Sequence, residues 1–188
     1  SSDVCSSDLD STGISSFEFS NTGLELESYA FSNSKLSRID LGVPLEKIPD
    51  YAFSNNPVTS VSLPQNLISI GASAFSGTLL TSIDFPTTLQ TIGNFAFNGT
   101  RLTTFKAPPN LTFIGISALR DTKSLVDADL TSKITLVAES LFQDSNVERV
   151  KLPNQVTQIQ KNAFNDAKRL VSINFPASLQ VIGASAFS

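Results

Sequence analysis

An Ala-Phe pair recurs along this chain at intervals of 22 or 23 residues. Equivalent positions carry the large apolar member of the pair, namely Phe31, Phe53, Phe75, Phe97, Leu119, Phe142, Phe164 and Phe187. Self-similarity at such a period is typical of a solenoid, in which each repeat is one structural unit that packs on its neighbours. The period therefore restricts the chain to a stacked array of coils.

Two further apolar rows keep the same period. An Ile, Leu or Val stands five residues before each Phe position, and a Leu-x-x-Ile-x-Leu pattern follows each pair. Because alternate side chains of a strand point to opposite faces, Ile83 and Phe85 should face the core, whereas Ser82 and Asp84 should face solvent. The spacing predicts one short strand per repeat, paired in parallel with its copy one repeat away.

The segments between the strands carry turn signals. Glycine precedes several Ala-Phe pairs and is expected there to adopt a positive φ, at Gly71, Gly93, Gly115 and Gly183. A polar or small residue stands three positions after each Phe position and is expected to hydrogen-bond the turned backbone inside the coil. This row reads Ser34, Asn56, Thr78, Thr100, Thr122, Ser145 and Ala167.

The string from Leu67 to Phe85 reads L-x-x-I-G-x-x-A-F-x-x-x-x-L-x-x-I-x-F and resembles the Treponema-type, or BspA-like, leucine-rich repeat. The resemblance covers residues 14–188. It implies a β-rich solenoid of about seven to eight coils, with one parallel strand per repeat in the main sheet and short turns or helical turns on the other side. It also implies a bacterial cell-surface or secreted protein associated with adhesion to host matrix or to other microbes.

Residues 14–188 are predicted to form one continuous solenoid, a fragment of a longer array, because the sequence stops in mid-repeat. Residues 1–13 form a segment outside the repeats. Residues 1–9 read SSDVCSSDL and are interpreted as non-native sequence. They contain Cys5, the single cysteine of the chain, which leaves the redox compartment undecided.

Composition argues against catalysis and against several partner classes. Without histidine, and with one cysteine, the chain cannot assemble a Ser-His or Cys-His nucleophile or a sulfur or imidazole metal site, so we expect no enzyme activity and no cofactor or metal. Among the carboxylates, Asp127 and Asp129 are the best candidates for an active site or a calcium site, because both should point outward from one strand. The alternative is that they are two solvated side chains. A net charge of −4 without a basic run disfavours nucleic acid, and no apolar stretch predicts membrane insertion.

A partner is expected on the outer face of the main sheet, the usual extended surface of a solenoid. The outward rows concentrate charge at one place, which is the predicted binding site: Lys106, Asp127, Asp129, Arg149 and Lys151. The alternative is a merely hydrophilic sheet face, because no aromatic residue stands in these rows. The repeat is also irregular nearby, since Leu119 replaces Phe, Ala128 replaces Ile, Thr131 replaces Pro and one residue is inserted, which indicates either a site or drift.

These features favour a non-catalytic, monomeric recognition or adhesion module that binds a protein or glycan surface ligand. The alternative is a passive spacer or scaffold region of a larger multidomain surface protein, which could include an enzyme. Asn98 and Asn110 match glycosylation acceptor patterns, and the sequence leaves their modification open.

Overall fold

The computed structural model describes residues 16–18, 25–42 and 44–188. In this part of the chain, short strands and turns form a parallel β-solenoid of about seven turns, and no segment is helical. The predictions for residues 1–13 and for Cys5 lie outside the described residues. The predicted solenoid is therefore confirmed for the chain that the structure covers.

Each regular coil contributes two strands to two separate parallel ladders. The main sheet consists of strands of three residues and a last strand of two: β1 (Ser16–Glu18), β2 (Arg38–Asp40), β4 (Ser60–Ser62), β7 (Thr104–Lys106), β9 (Asp127–Asp129), β11 (Arg149–Lys151) and β13 (Ser172–Ile173). The shorter strands form what we call the second ladder: β3 (Lys47–Ile48), β5 (Ser69–Ile70), β6 (Thr91–Ile92), β8 (Phe113–Ile114), β10 (Leu136–Val137), β12 (Gln158–Ile159) and β14 (Val181–Ile182).

The main sheet has the predicted register. Phe105 pairs with Ala128, Ala128 with Val150, and Val150 with Ile173, so each strand lies beside its copy from the next repeat. The sheet has one interruption among the described residues, because residues 82–84 form no strand between β4 and β7. The predicted strand at Ile83 is therefore absent, although the Ile83 side chain still packs against the core.

The second ladder adds a feature that the sequence analysis did not predict. Its strands are two residues long, so each carries a single inward residue, such as Ile70 or Ile92, and shows no alternation. The periodic Ile row identified these core residues but not their strand pairing. This ladder is interrupted between β8 and β10, within the described chain.

A third backbone ladder joins the turns that carry the Ala-Phe pairs, and we call it the turn ladder. In one step the N–H groups of Ser73, Phe75 and Gly77 donate to carbonyls of the next coil at 2.8, 2.9 and 2.8 Å. The same three-bond pattern recurs at every step, from the coil of Tyr29 to the coil that ends at Ser188. Unlike both strand ladders, the turn ladder has no interruption along this stretch.

The glycines that precede the Ala-Phe pairs are needed because a side chain would not fit between neighbouring coils. Their predicted positive φ is wrong: positive φ occurs later in each turn, at residues such as Ser73 and Gly77. A Cβ atom on Gly71 would lie 2.6 Å from the backbone nitrogen of Asp50, and one on Gly93 would lie 2.6 Å from that of Ala72. Glycine therefore allows neighbouring coils to approach closely at this point.

The phenylalanine row forms the predicted file through the core. Phe53 and Phe75 are completely buried, and their ring centroids lie 5.5 Å apart. The next ring, Phe97, continues the stack at 5.6 Å, and Leu119 then interrupts it. Phe187 departs from the expected burial, because its ring stacks on Phe164 at 5.0 Å but the residue is 42% exposed.

The polar row after each Phe position also behaves as predicted. The hydroxyl groups of Thr78, Thr100 and Thr122 donate to the carbonyl three residues earlier, at 2.8, 2.9 and 2.7 Å. Asn56 donates in the same way to the Phe53 carbonyl at 3.1 Å. These buried side chains satisfy carbonyls of the tight turn that the strand ladders cannot reach.

Candidate functional site

The five predicted site residues lie together on the outer face of three adjacent strands. Asp127 on β9 stands directly beside Arg149 on β11 in the sheet register. Lys106 on β7, Asp129 on β9 and Lys151 on β11 form the neighbouring row. Strands of one sheet lie ~4.8 Å apart, so the two rows form one compact charged surface, which we call the charged face.

Arg149 and Asp127 form a two-point ion pair at the centre of the charged face. The Arg149 Nε atom donates to Asp127 Oδ1 at 2.5 Å, and Nη2 donates to Oδ2 at 2.7 Å. The hydrogen bond from Arg149 lowers the pKa of Asp127 below its usual value and outweighs the opposing effect of desolvation. The same bond raises the pKa of the Arg149 guanidinium, so both groups stay charged near neutral pH.

The pair extends into a small network across the next coil. Arg149 Nη1 lies 3.5 Å from Glu148 Oε2, and the other Glu148 oxygen lies 2.7 Å from Arg169 Nη2. Glu148 and Arg169 were not among the predicted site residues, because both stand outside the two outward rows. The sequence signal that could have identified Glu148 is its acidic side chain directly before Arg149.

Asp129 is held by its own strand end. The Thr131 N–H donates to Asp129 Oδ1 at 2.9 Å, and the Thr131 hydroxyl donates to the same oxygen. Desolvation acts to raise the pKa of Asp129, but the Thr131 bonds and the charges of Lys151 and Lys106 outweigh it, so the net shift is downward. Lys151 Nζ lies 3.9 Å from Asp129 Oδ2, a loose contact.

Thr131 stands where most other coils carry a proline. Proline has no N–H, so a regular coil could not donate the backbone hydrogen bond that orients Asp129. The irregularity at Thr131 therefore has a structural consequence at the charged face. The replacement of proline is visible in the sequence, whereas its contact with Asp129 is visible only in the structure.

An open groove with a volume of about 970 Å³ crosses the charged face. Four of the five predicted residues line it, and Lys106 does not. Asn174 closes one side, where its side chain accepts from the Leu152 N–H at 2.7 Å and donates to the Leu152 carbonyl at 3.0 Å. The amide thus replaces a strand pairing at the edge of β11 and keeps the groove wall in place.

The chemistry of this groove is suited to binding. Asp127 and Asp129 accept hydrogen bonds from different partners, Arg149 and Thr131. Among the described residues, no group of three or more His, Cys, Asp or Glu side chains could hold a metal ion. The charged face offers instead carboxylates, a guanidinium and amides at fixed positions, which can exchange hydrogen bonds with a partner.

The two glycosylation candidates are tied to neighbouring coils. Asn98 Nδ2 lies 3.4 Å from Ser76 Oγ and is half-buried, and Asn110 Nδ2 donates to the Thr87 carbonyl at 2.8 Å. Their modification stays a prediction. The part of the chain that the structure describes has no helix with the length and apolar character needed to span a membrane.

Comparison with solved structures identifies similar solenoids. A leucine-rich repeat protein from Bacteroides ovatus is 27% identical, with a TM-score of 0.80 over 87% of this chain. The Treponema pallidum leucine-rich repeat protein is 24% identical, with a TM-score of 0.70 over 84% of this chain and 76% of its own. The pneumococcal vaccine antigen PcpA is 22% identical, with a TM-score of 0.59 over 84% of this chain and 55% of its own.

This chain spans 44% of the length of the Bacteroides ovatus protein. No protein among the curated sequences matches it significantly. The model of the BspA type leucine rich repeat region matches residues 9–98 and 68–188 with six copies, which is well over half of the chain. The chain is therefore a protein-interaction repeat module, and it belongs to the BspA-type leucine-rich repeat family.

Proposed function

We propose that this module is part of a bacterial cell-surface or secreted adhesin-like protein and that it binds host or microbial surface macromolecules through the charged face. The proposal is supported by the repeat family and by the similarity to a Bacteroides ovatus leucine-rich repeat protein. In this proposal the module is monomeric and non-catalytic. It also takes residues 14–188 as one continuous array and residues 1–13 as a segment outside the repeats, although the family model already matches from residue 9.

The observation that carries the proposal is the fixed two-point pair between Arg149 and Asp127 inside an open groove. The side chains remain 51% and 46% exposed, so a partner can reach both of them. Exposed ion pairs contribute little to stability, so a partner that replaces one of their bonds disturbs the fold little. The pair is thus positioned for recognition at a small cost to folding.

The mixed signs of the charged face suit a polar partner with complementary charges. Lys106 and Lys151 flank Asp129, so the face presents basic groups on both sides of a fixed acid. Such patterns mainly determine orientation and association rate. A protein surface or an anionic glycan provides the matching groups, and binding should weaken with added salt because the face is exposed.

The test is binding of the chain to immobilised host matrix proteins and to neighbouring bacterial surfaces. A Lys106→Glu, Arg149→Glu, Lys151→Glu variant should lose the binding that the wild type shows. The matched control reverses three exposed charges away from the charged face, Lys47→Glu, Arg101→Glu and Lys161→Glu, and should keep it. Equal binding by both variants would contradict the charged face as the site, and absence of any binding would favour the spacer alternative.

A further inference from the structure

The main sheet is interrupted at a single coil, and the backbone hydrogen bonds show how far the interruption extends. In the row of residues directly after each three-residue strand, the N–H groups of Ala107 and Leu130 donate to a carbonyl of the next coil at 2.8 Å each. Leu63 and Phe85 belong to the same row, and within the described chain they donate no such bond. Residues 82–85 are therefore paired neither with β4 nor with β7.

The other two ladders stay closed at the same coil. Ile70 pairs with Ile92 in the second ladder, and the Phe75 N–H keeps its turn-ladder bond to the next coil at 2.9 Å. On the side of the main sheet, the Thr103 N–H still donates to the Thr81 carbonyl at 3.1 Å, just before the interruption. The loss of pairing is therefore confined to one side of the solenoid, and the stacked coils remain joined on the others.

The core beneath the main sheet is also less closed at this coil. Ile39 on β2 and Phe105 on β7 point inward and are 1% and 2% exposed. The inward residues between these two strands are only partly buried, namely Val61, Leu63, Ile83 and Phe85. Missing backbone bonds and incomplete apolar burial both mark the parts of a protein that open most easily. Burial is thus a second observation, independent of the hydrogen bonds, that this side of the coil is loosely held.

Phe85 is the residue that distinguishes this coil. Its row carries leucine or alanine elsewhere, up to the last coil, where Phe175 stands. The Phe85 ring makes edge-to-face contacts with Phe97 and Phe105, with ring centroids 5.7 and 5.5 Å apart. A phenylalanine ring needs more room than a leucine side chain, and overpacking of this kind is relieved by a shift of the backbone. The aromatic contacts stabilise the coil in a position that lacks the regular strand bonds.

The coil of Phe175 loses the same backbone bond, but a side chain replaces it. The Leu152 N–H donates to Asn174 Oδ1 at 2.7 Å, and Asn174 Nδ2 donates back to the Leu152 carbonyl at 3.0 Å. In the coil of Phe85 the equivalent residue is Asp84. A carboxylate has no N–H to donate to a carbonyl, so Asp84 cannot make this two-point contact. The gap that Asn174 closes is therefore left open at Asp84.

We propose that the coil of residues 79–86 is a joint, at which the solenoid bends by opening its main sheet between β4 and β7 while the turn ladder and the second ladder stay closed. Phe85 holds the strands apart, and Asp84 leaves the gap unbridged. The charged face lies wholly on β7, β9 and β11, so bending changes its angle to β2 and β4 without moving its residues relative to one another. The joint does not depend on the function proposed for the charged face.

Amide hydrogen exchange of the full chain, followed by NMR, tests whether the main sheet opens at this coil. The protection factors correct each amide for its intrinsic exchange rate, so positions in one row can be compared directly. The amides of Leu63 and Phe85 should be protected about tenfold or more weakly than those of Ala107 and Leu130, because they lack a bond to the next coil. The Phe75 amide, in the turn ladder of the same coil, should remain strongly protected.

Two substitutions should close the joint, and we call them the closing variants. Asp84→Asn supplies the amide that bridges the equivalent gap at Asn174, so the protection of Leu63 should rise. Phe85→Leu restores the usual residue of the row and should raise protection at positions 63 and 85. Asp84→Ser is the matched control, since serine stands in the same row at Ser62, and it should exchange like the wild type. Thermal unfolding checks that each variant keeps the fold.

Bending itself is measured by electron paramagnetic resonance between pairs of nitroxide labels, in a chain that also carries Cys5→Ser. Labels at Ser60→Cys and Thr104→Cys span the joint on the main sheet. Labels at Lys47→Cys and Thr91→Cys span the same coils on the second ladder. The first pair should give the broader distribution of distances, and either closing variant should narrow it.

Two results in the wild type would overturn the proposal. One is that the amides of Leu63 and Phe85 are as strongly protected as that of Ala107. The other is that the two label pairs give equally narrow distributions of distances. Unchanged protection in both closing variants would overturn the roles assigned to Phe85 and Asp84.

Discussion

The coils between residues 50 and 100 and those between residues 119 and 151 share the same inner rows but differ in regularity. In the first region, Phe53, Phe75 and Phe97 stack in file. In the second region, Leu119 breaks the file, Thr131 replaces a proline, and a residue is inserted. The turn ladder runs through both regions without interruption.

This comparison shows which parts of a coil are constrained. The turn and the inner rows repeat because each must fit its copy above and below. The strand ends and outer rows face solvent, so they can change without loss of stacking. The charged face occupies the irregular region, and Thr131 gives that irregularity a role, because its N–H holds Asp129.

The largest effect is expected from truncation of the phenylalanine file. Phe97→Ala should lower the free energy of unfolding by ~3–5 kcal/mol, because a stacked, fully buried ring leaves a cavity. Leu119→Ala should cost less, since fewer atoms are removed from the irregular region. Phe95→Ala is the control at an exposed position and should have little effect. Chemical denaturation measures all three, and unchanged stability of the Phe97 variant would contradict the stacked core.

The next largest effect concerns the close approach of coils at the glycine row. Gly93→Ala should lower the free energy of unfolding by about 1–3 kcal/mol, because the new Cβ atom meets the backbone of Ala72 and the coils must separate. Gly99→Asn should cost less, since an asparagine occupies the same turn position at Asn55 with a φ of 56°. Thermal unfolding compares the two variants. Unchanged stability of Gly93→Ala would contradict the requirement for space at this glycine row.

A smaller effect should follow when the regular proline is restored in the irregular region. Thr131→Pro removes the N–H that binds Asp129, so the pKa of Asp129 should rise and stability should fall by about 1 kcal/mol. Thr131→Ser keeps both donors and should leave the pKa lowered. Carboxyl titration by NMR measures the change, and an unaltered Asp129 pKa in the proline variant would show that Thr131 does not control this carboxylate.

The smallest effect is the pH dependence of the Arg149–Asp127 pair. The hydrogen bond from Arg149 holds the folded-state pKa of Asp127 below its usual value. Its contribution to stability is therefore present above that value and is lost as the pH falls through the folded-state pKa. The wild type should unfold at a slightly higher temperature than Asp127→Asn at pH 7, and the difference should vanish in acid. A constant difference across the titration would exclude the ion pair as its cause.

Several elements could be predicted from single residues and their period. The inward positions of Phe75 and Ile70, the main strands and the buried threonine row all follow from side chains that recur at one spacing. The second ladder could not be predicted, because two residues are too short to show alternation. The role of Gly71 was predicted wrongly, since a glycine required for space and one required for positive φ look identical in sequence.

The candidate site likewise combines features that could be predicted from the sequence with features that could not. That Asp127 and Arg149 share a face follows from their places in the strand pattern. Their two-point geometry, the capture of Asp129 by Thr131 and the inclusion of Arg169 depend on side-chain conformations and on distances between coils. The contact between Phe95 and Ile116 was not predicted for a similar reason, because the two residues come from different rows and meet only where adjacent coils touch.

The sequence by itself determined the coil period, the stacked array and the identity of the inward residues, because a linear period becomes a spatial one when identical units stack. Only the tertiary structure decided where each ladder breaks, which charges pair and which surfaces form grooves. These properties depend on atoms from different coils, and no local stretch of sequence contains both partners.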